Sequence, residues 1–377
     1  MKPDTSNDKI NTARIIILVA AALIICGSGI VWFFTGRYFS SASSENRTKA
    51  EKPELTPDTY AEYSADYTAY FNDNMPFRDS LITFNSLLDY SLFRRSATGQ
   101  VVIGKEGWLF YAKASDGAPL KSYKGSDLYT DDELAAFAEN CIKQQEYIES
   151  LGKEFVLFIA PNKERIYSEY MPDDYGKPAE YYRALQIYDY LRENTDVRVI
   201  YPYAELMAAK DALSVNIWYK IDTHWNRIGS YVGARALLEE LEITLPEITD
   251  PSITITETDS SNNDLAQLLG LMDVIEFTDT DYIVDGYAQN TFTTNWDGKS
   301  KNFDYFAENA DPRKILIISD SFAAGMGEYI GSRFNESRFR HVDLYTSDEL
   351  ASYDCDIVVY ETVERLLMKL ARFSFTE

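Results

Sequence analysis

Two short stretches hold residue types that suit acyl-transfer chemistry. The first, YKIDTHWNRIGS at 219–230, contains His224, one of only two histidines in 377 residues, with Asp222 two places before it and Trp225 directly after. Imidazole is the usual protein base near neutral pH, and a neighbouring carboxylate can fix its tautomer and stabilise the cation it becomes. The second, KILIISDSFAAGM at 314–326, places Asp320 and Ser321 after an apolar run and before small residues. A serine hydroxyl is a weak nucleophile until a base takes its proton, which is what His224 could do. Each stretch also has a plainer reading. Asp320 or Ser321 could simply cap a helix, since both residue types are preferred there. His224 could be a core histidine bonded to a carboxylate, or Asp222 and His224 a metal-ligand pair. The metal reading lacks support, because no histidine or cysteine cluster surrounds the pair and no zinc-type spacing occurs. His341 falls in an expected strand and reads as core.

The elements that would position these residues alternate between helix and strand from Asp131 onward. DDELAAFAENCIKQQEYIESLG predicts an amphipathic helix closed by Gly152, and FVLFIAP a buried strand. YYRALQIYDYLRENT predicts a helix and VRVIYP a strand. KILIIS, then a helix from about Phe322, then strands at HVDLY and DIVVYE and a final helix complete the pattern. Such alternation predicts an α/β fold with a parallel sheet flanked by helices, in which sites lie at the carboxyl ends of the strands. Ser321 stands at such an end. Asp222 and His224 stand just before a helix starting near Asn226, with Ile228, Val232 and Ala236 on its buried face. Upstream, residues 59–93 predict helix broken at Met75-Pro76, and VVIGKEGWLFY at 101–111 predicts a hairpin. The stretch 251–309, rich in Thr, Asp and Asn, interrupts the rhythm and is read as an insertion.

Charge and hydropathy bound the setting. With 60 acidic against 36 basic residues the net charge is −24, which disfavours nucleic acid and anionic lipid as partners. Residues 15–34 carry no charge and are long enough to cross a hydrocarbon core of ~30 Å. Lys2, Lys9 and Arg14 precede that run, so the positive-inside rule puts residues 1–14 in the cytoplasm and the bulk of the chain outside. A cleaved signal ending near Ser41-Ala42-Ser43 is the alternative. Residues 35–58 read as a polar tether and 59–377 as one extracytoplasmic domain. Cys141 and Cys355 could form one disulfide or stay as two buried thiols.

IDTHWNRIGSYVGARAL, IISDSFAAGM, GKEGWLFY, APNKERIYSEYMP and VVYETVERLL resemble landmarks of the AlgX/AlgJ-like SGNH-hydrolase group. That group includes the alginate O-acetyltransferases and the DHHW proteins of Gram-positive bacteria. The resemblance runs from roughly Tyr60 to the C-terminus. It implies an SGNH-like fold with a circularly permuted motif order, Ser321 as nucleophile, His224 as base and Asp222 as its orienting acid. With no histidine or cysteine cluster near them, no metal or other cofactor is expected. It also implies a polysaccharide acceptor and a multispanning membrane O-acyltransferase as acetyl supplier. The sequence departs from the pattern at Ser319, where a glycine is common, and at Thr223, where the signature has a second histidine. Asn162 and Lys163 are candidates for the cleft wall or are ordinary loop polarity. A carbohydrate acetylesterase with the same residues, and a non-catalytic envelope scaffold or glycan-binding protein, are the competing functions.

Overall fold

The computed structural model describes residues 14–19, 50–74 and 78–376. The expected anchor at 15–34 lies outside these apart from a helical stretch at 14–19, as do most of the tether and the Met75-Pro76 break. Among the described residues no helix is long and apolar enough to cross a membrane.

The chain divides into two compact units, 1–93 and 94–377. The first contains α1 (Tyr63–Asp73) and α2 (Arg78–Leu88). In the second, β1 (Val101–Ile103) and β2 (Leu109–Tyr111) form the expected antiparallel hairpin. There follow α3 (Asp131–Ser150), β3 (Glu154–Ala160), α4 (Arg183–Asn194), β4 (Val199–Ile200), α5 (Tyr203–Ala212) and α6 (Arg227–Glu240). Next come β5 (Thr254–Asp259), α7 (Asp264–Leu269), β6 (Thr280–Asp285), β7 (Phe292–Thr294) and β8 (Phe303–Ala307). The chain then runs through β9 (Asp311–Ser319), α8 (Phe322–Gly331), β10 (Phe334–His341) and β11 (Ile357–Val363).

The central sheet has the order β4-β3-β11-β9-β10-β8-β7. Its first five strands are mutually parallel, and β8 and β7 extend it in antiparallel fashion. Alternation along each strand explains why both faces are covered. Ile315 and Ile317 of β9, with Val156 and Phe158 of β3, enter the core beneath α6 and α8. Leu316 and Ile318, with Phe155, Leu157 and Ile159, enter the core beneath α3 and α4.

Within the stretch 251–309, β5 and β6 form a separate hairpin, and β7 and β8 join the sheet. Two expectations need correction. The strand expected at HVDLY lies earlier, at Phe334–His341, and Val342–Leu344 is a 3₁₀ turn begun by the His341 side chain accepting from Asp343 N. That strand carries Glu336, Arg338 and Arg340, whose charges pair with one another and with Asp304 and Glu349, so its apolar pattern is weak. The final helix is short, Leu367–Leu370, because Phe373 and Phe375 leave the helical path to pack with Tyr345 and Tyr360. Cys141 and Cys355 are free and buried.

Candidate active site

The loop bearing His224 is fastened at both ends. Asn226 N donates to Ile217 O, Tyr219 N to His224 O, and the Trp218 indole to Thr223 O. Asn226 then caps α6, its Oδ1 accepting from Ile228 N at 3.0 Å and Gly229 N at 3.2 Å. Gly229 must be glycine for this loop to close, because a Cβ there would stand 2.3 Å from Ile217 O.

Ser321 follows β9 and occupies the cap position of α8, yet its hydroxyl makes no capping bond. Asp320 does that work instead. Its Oδ1 accepts from Phe322 N at 2.9 Å and its Oδ2 from Val363 N at 2.7 Å, fixing the turn to β11. The capping reading therefore holds for Asp320 and fails for Ser321.

Small residues bring the two segments together. A Cβ at Gly325 of α8 would lie 2.2 Å from Ser230 Oγ of α6, so the helices approach closely only because position 325 has no side chain. Trp225 then reaches across, its Nε1 donating to Phe322 O at 3.1 Å.

The outcome is a line of three polar groups. His224 Nε2 and Ser321 Oγ are 2.7 Å apart, and His224 Nδ1 and Asp222 Oδ1 are 2.7 Å apart. Asp222 is buried, and its carboxylate also accepts from His224 N at 2.9 Å and Asp264 N at 3.0 Å. Burial works against its charge, but the His224 hydrogen bond and charge and these two N–H groups hold its carboxyl well below the usual carboxylate range. Burial likewise disfavours the imidazolium, while the Asp222 hydrogen bond and charge and the Asp264 charge hold His224 above the ordinary histidine value. A hydroxyl, an imidazole and a carboxylate in this line can activate oxygen for attack on an acyl carbon.

Two surrounding residues carried little sequence signal. Asp264, from the stretch 251–309, accepts from Thr223 N and Oγ1 at 2.7 and 2.5 Å and lies 3.9 Å from His224 Nδ1. Burial, then the Asp222 charge, raises its carboxyl. Thr223, at the position of the missing second histidine, thus anchors Asp264. Asp222, His224 and Asp264 are close enough to hold a metal ion together, although Nδ1 of His224 is already bonded to Asp222. Lys163 is no loop decoration. It is buried, and its Nζ donates to Leu109 O, Lys220 O and Asp222 O at 2.6, 2.8 and 2.9 Å. Burial pulls it down to about 7, opposed by the charges of Asp222, Asp279 and Asp264. Three carbonyl acceptors engage three N–H groups, which only the ammonium form supplies. Asn162 is also buried, its backbone N donating to Glu364 Oε2.

The family model described as "SGNH hydrolase-like domain, acetyltransferase AlgX" matches residues 101–329, and the chain belongs to that family, with its SGNH-like α/β fold. The probable alginate O-acetylase AlgJ of Pseudomonas putida is 29% identical over 173 residues, 45% of this chain and 41% of that protein. Its counterpart from Pseudomonas aeruginosa is 28% identical over 180 residues, 47% of this chain and 42% of that protein. The chain thus aligns with less than half the length of these curated relatives. A DHHW family protein from Eubacterium siraeum has a similar structure, at a TM-score of 0.49 and 16% identity, covering 72% of this chain and 95% of that one.

Proposed function

We propose that this chain is an extracytoplasmic O-acetyltransferase that forms an acetyl-serine at Ser321 and passes the acetyl group to a hydroxyl of a secreted or cell-wall polysaccharide. The observation that carries this reading is the 2.7 Å approach of His224 Nε2 to Ser321 Oγ across 97 residues of sequence. Membership of the acetyltransferase AlgX family supports the acyl group, and the curated AlgJ relatives support a polysaccharide acceptor.

In the first half-reaction, Ser321 Oγ attacks the acetyl carbonyl of the donor while His224 Nε2 takes the hydroxyl proton. The tetrahedral oxyanion faces the Ser321 N–H and the amino end of α8, which favour negative charge. Collapse expels the donor's leaving group, which receives the proton from His224. In the second half, the acceptor hydroxyl gives its proton to His224 and its oxygen to the acetyl carbon, and Ser321 departs with that proton. Asp222 holds the imidazole in the Nδ1–H tautomer throughout. The chain order Asp222, His224, Ser321 is read as a circular permutation of the ordinary SGNH order. Residues 15–34 serve as an uncleaved anchor, and a multispanning membrane O-acyltransferase supplies the acetyl group.

The test uses 4-nitrophenyl acetate as donor with the full-length protein. Peptide mapping after an acid quench should place one acetyl group on Ser321, and an added oligosaccharide should leave carrying it. Acetylation of Ser321 with release only as free acetate, whatever sugar is offered, would turn the reading to an esterase. No acetyl group on Ser321 would end it.

A further inference from the structure

A cleft opens on the same edge of the sheet as Ser321, lined by other residues. Its volume is about 410 Å³, and Arg165, Tyr182, Tyr188, Tyr201 and Tyr203 are among the residues that line it. Tyr201 directly follows β4 and Arg165 comes five residues after β3, so the cleft sits at the carboxyl ends of those strands. β4, β3, β11 and β9 are parallel neighbours in that order, which puts the cleft on the same edge as Ser321 after β9. Two to three strand spacings of ~4.8 Å separate them along the sheet, about 10–14 Å. An oligosaccharide spans that distance and a single sugar does not.

The polar groups in the floor are already engaged. Arg165 is buried, its guanidinium lies 3.3 Å from the Tyr182 ring centroid, and it donates to Ala179 O and Ser122 O. The Tyr201 hydroxyl bonds Tyr182 Oη and Glu364 Oε2. What remains open is ring surface and two carboxylates. Tyr203 and Tyr188 are half-exposed, Tyr201 and Tyr203 stack nearly parallel with centroids 6.0 Å apart, and the exposed Glu180 and Glu205 stand on the rim. Aromatic faces take the C–H faces of a pyranose, and rim carboxylates accept from its hydroxyls. Among the described residues lining the cleft, Arg165 is the only cation and is spent internally. A uronate would meet Glu180 and Glu205 at the rim, and Arg192 beside the cleft is already bonded to the Tyr188 hydroxyl.

Resting on the acetyltransferase reading, we propose that this tyrosine-lined cleft is the acceptor subsite and that it takes neutral or amino-sugar residues of the polysaccharide, not uronates. The test measures binding and not turnover, so it stands or falls independently of the acetyl-serine. Full-length protein carrying Ser321→Ala is titrated calorimetrically with cellotetraose, chitotetraose and a mannuronate tetramer. One of the first two should bind, and the mannuronate should bind at least tenfold more weakly. Tyr203→Ala should weaken the sugar by about two- to tenfold, Tyr203→Phe should keep it, and Tyr188→Ala should weaken it independently. An unchanged thermal transition certifies each variant. No binding of either neutral tetrasaccharide overturns the proposal, as does binding indifferent to both tyrosines. Tighter binding of mannuronate overturns the acceptor class.

Discussion

The Trp225 indole donates to the carbonyl of Phe322, and each of these residues stands immediately after a member of the hydrogen-bonded line, His224 and Ser321. The rings of Trp225 and Phe322 meet edge to face with centroids 5.3 Å apart, both fully packed. The register between the two segments is therefore set by a buried contact that involves neither the Ser321 hydroxyl nor the His224 ring. Removing the Ser321 hydroxyl or the His224 ring should leave that register intact, so losses of activity can be read as losses of chemistry.

Ser321→Ala, His224→Ala and the double variant should each fall to a similar floor on 4-nitrophenyl acetate, on the order of 10³-fold below wild type, because members of a working unit are not additive. Asp222→Asn should lose less, since the imidazole remains but without its carboxylate partner. A folded Ser321→Ala enzyme with wild-type turnover would make the serine a bystander.

In the proposed mechanism His224 must be neutral to take the serine proton, and Asp222 and Asp264 raise its proton affinity in spite of burial. Activity should accordingly rise with pH along a limb above the value of free histidine, ~6.5. Asp264→Asn removes one of the charges that stabilise the imidazolium, so the limb should move to lower pH. A limb that stays in place or moves upward in the kcat/KM profile contradicts this electrostatic assignment.

Asp222, His224 and Asp264 could together bind a metal ion, but the proposed chemistry runs through a proton on His224 Nε2. Turnover should survive exhaustive treatment with a chelator. Activity that disappears and returns with zinc or manganese would recast these residues as ligands.

Lys163→Met strips one donor from the carbonyls of Leu109, Lys220 and Asp222, of which that of half-buried Lys220 still accepts from Leu109 N. A buried acceptor left unpaired costs ~1–3 kcal/mol, so a stability loss of about 2 kcal/mol or more is expected from chemical denaturation. A wild-type midpoint would mean that Lys163 does not hold the Asp222 loop.

Glu361 of β11 is completely buried, and burial, then the Asp320 charge, pushes its carboxyl well above the glutamate range. The folded state thus keeps a proton that the unfolded chain loses above ~4.3, so folding takes one up. Stability should fall as pH rises from there, by ~1.4 kcal/mol per unit for that proton, until the folded carboxyl ionises. Glu361→Gln needs no proton. It should exceed wild type in denaturation midpoint near neutral pH, and the two should converge in acid. Parallel curves at all pH values would show Glu361 ionised in the fold.

Local pattern in the sequence was enough for much of this protein. The runs FVLFIA, KILIIS and DIVVYE predict buried strands because an uninterrupted apolar stretch of that length must be covered on both faces, and each is a central strand of the sheet. Asp222, His224 and Ser321 stood out because scarce or reactive residue types fell at a strand end and before a helix. Tertiary structure decided what depends on partners far along the chain. Lys163 and Asp264 become part of the site only through contacts to segments 54 and 41 residues away, at Leu109 and Thr223; the place of Lys163 after a strand left cleft wall and loop polarity both open, and nothing near Asp264 marks it. β10 escaped notice because its charges are paid off by cross-strand partners such as Asp304, which no local pattern reveals. The same physics settled Asp320 against Ser321 as the helix cap. Both can cap in sequence, but only the adjacent strand β11 offers Asp320 a second N–H, leaving the serine hydroxyl to His224.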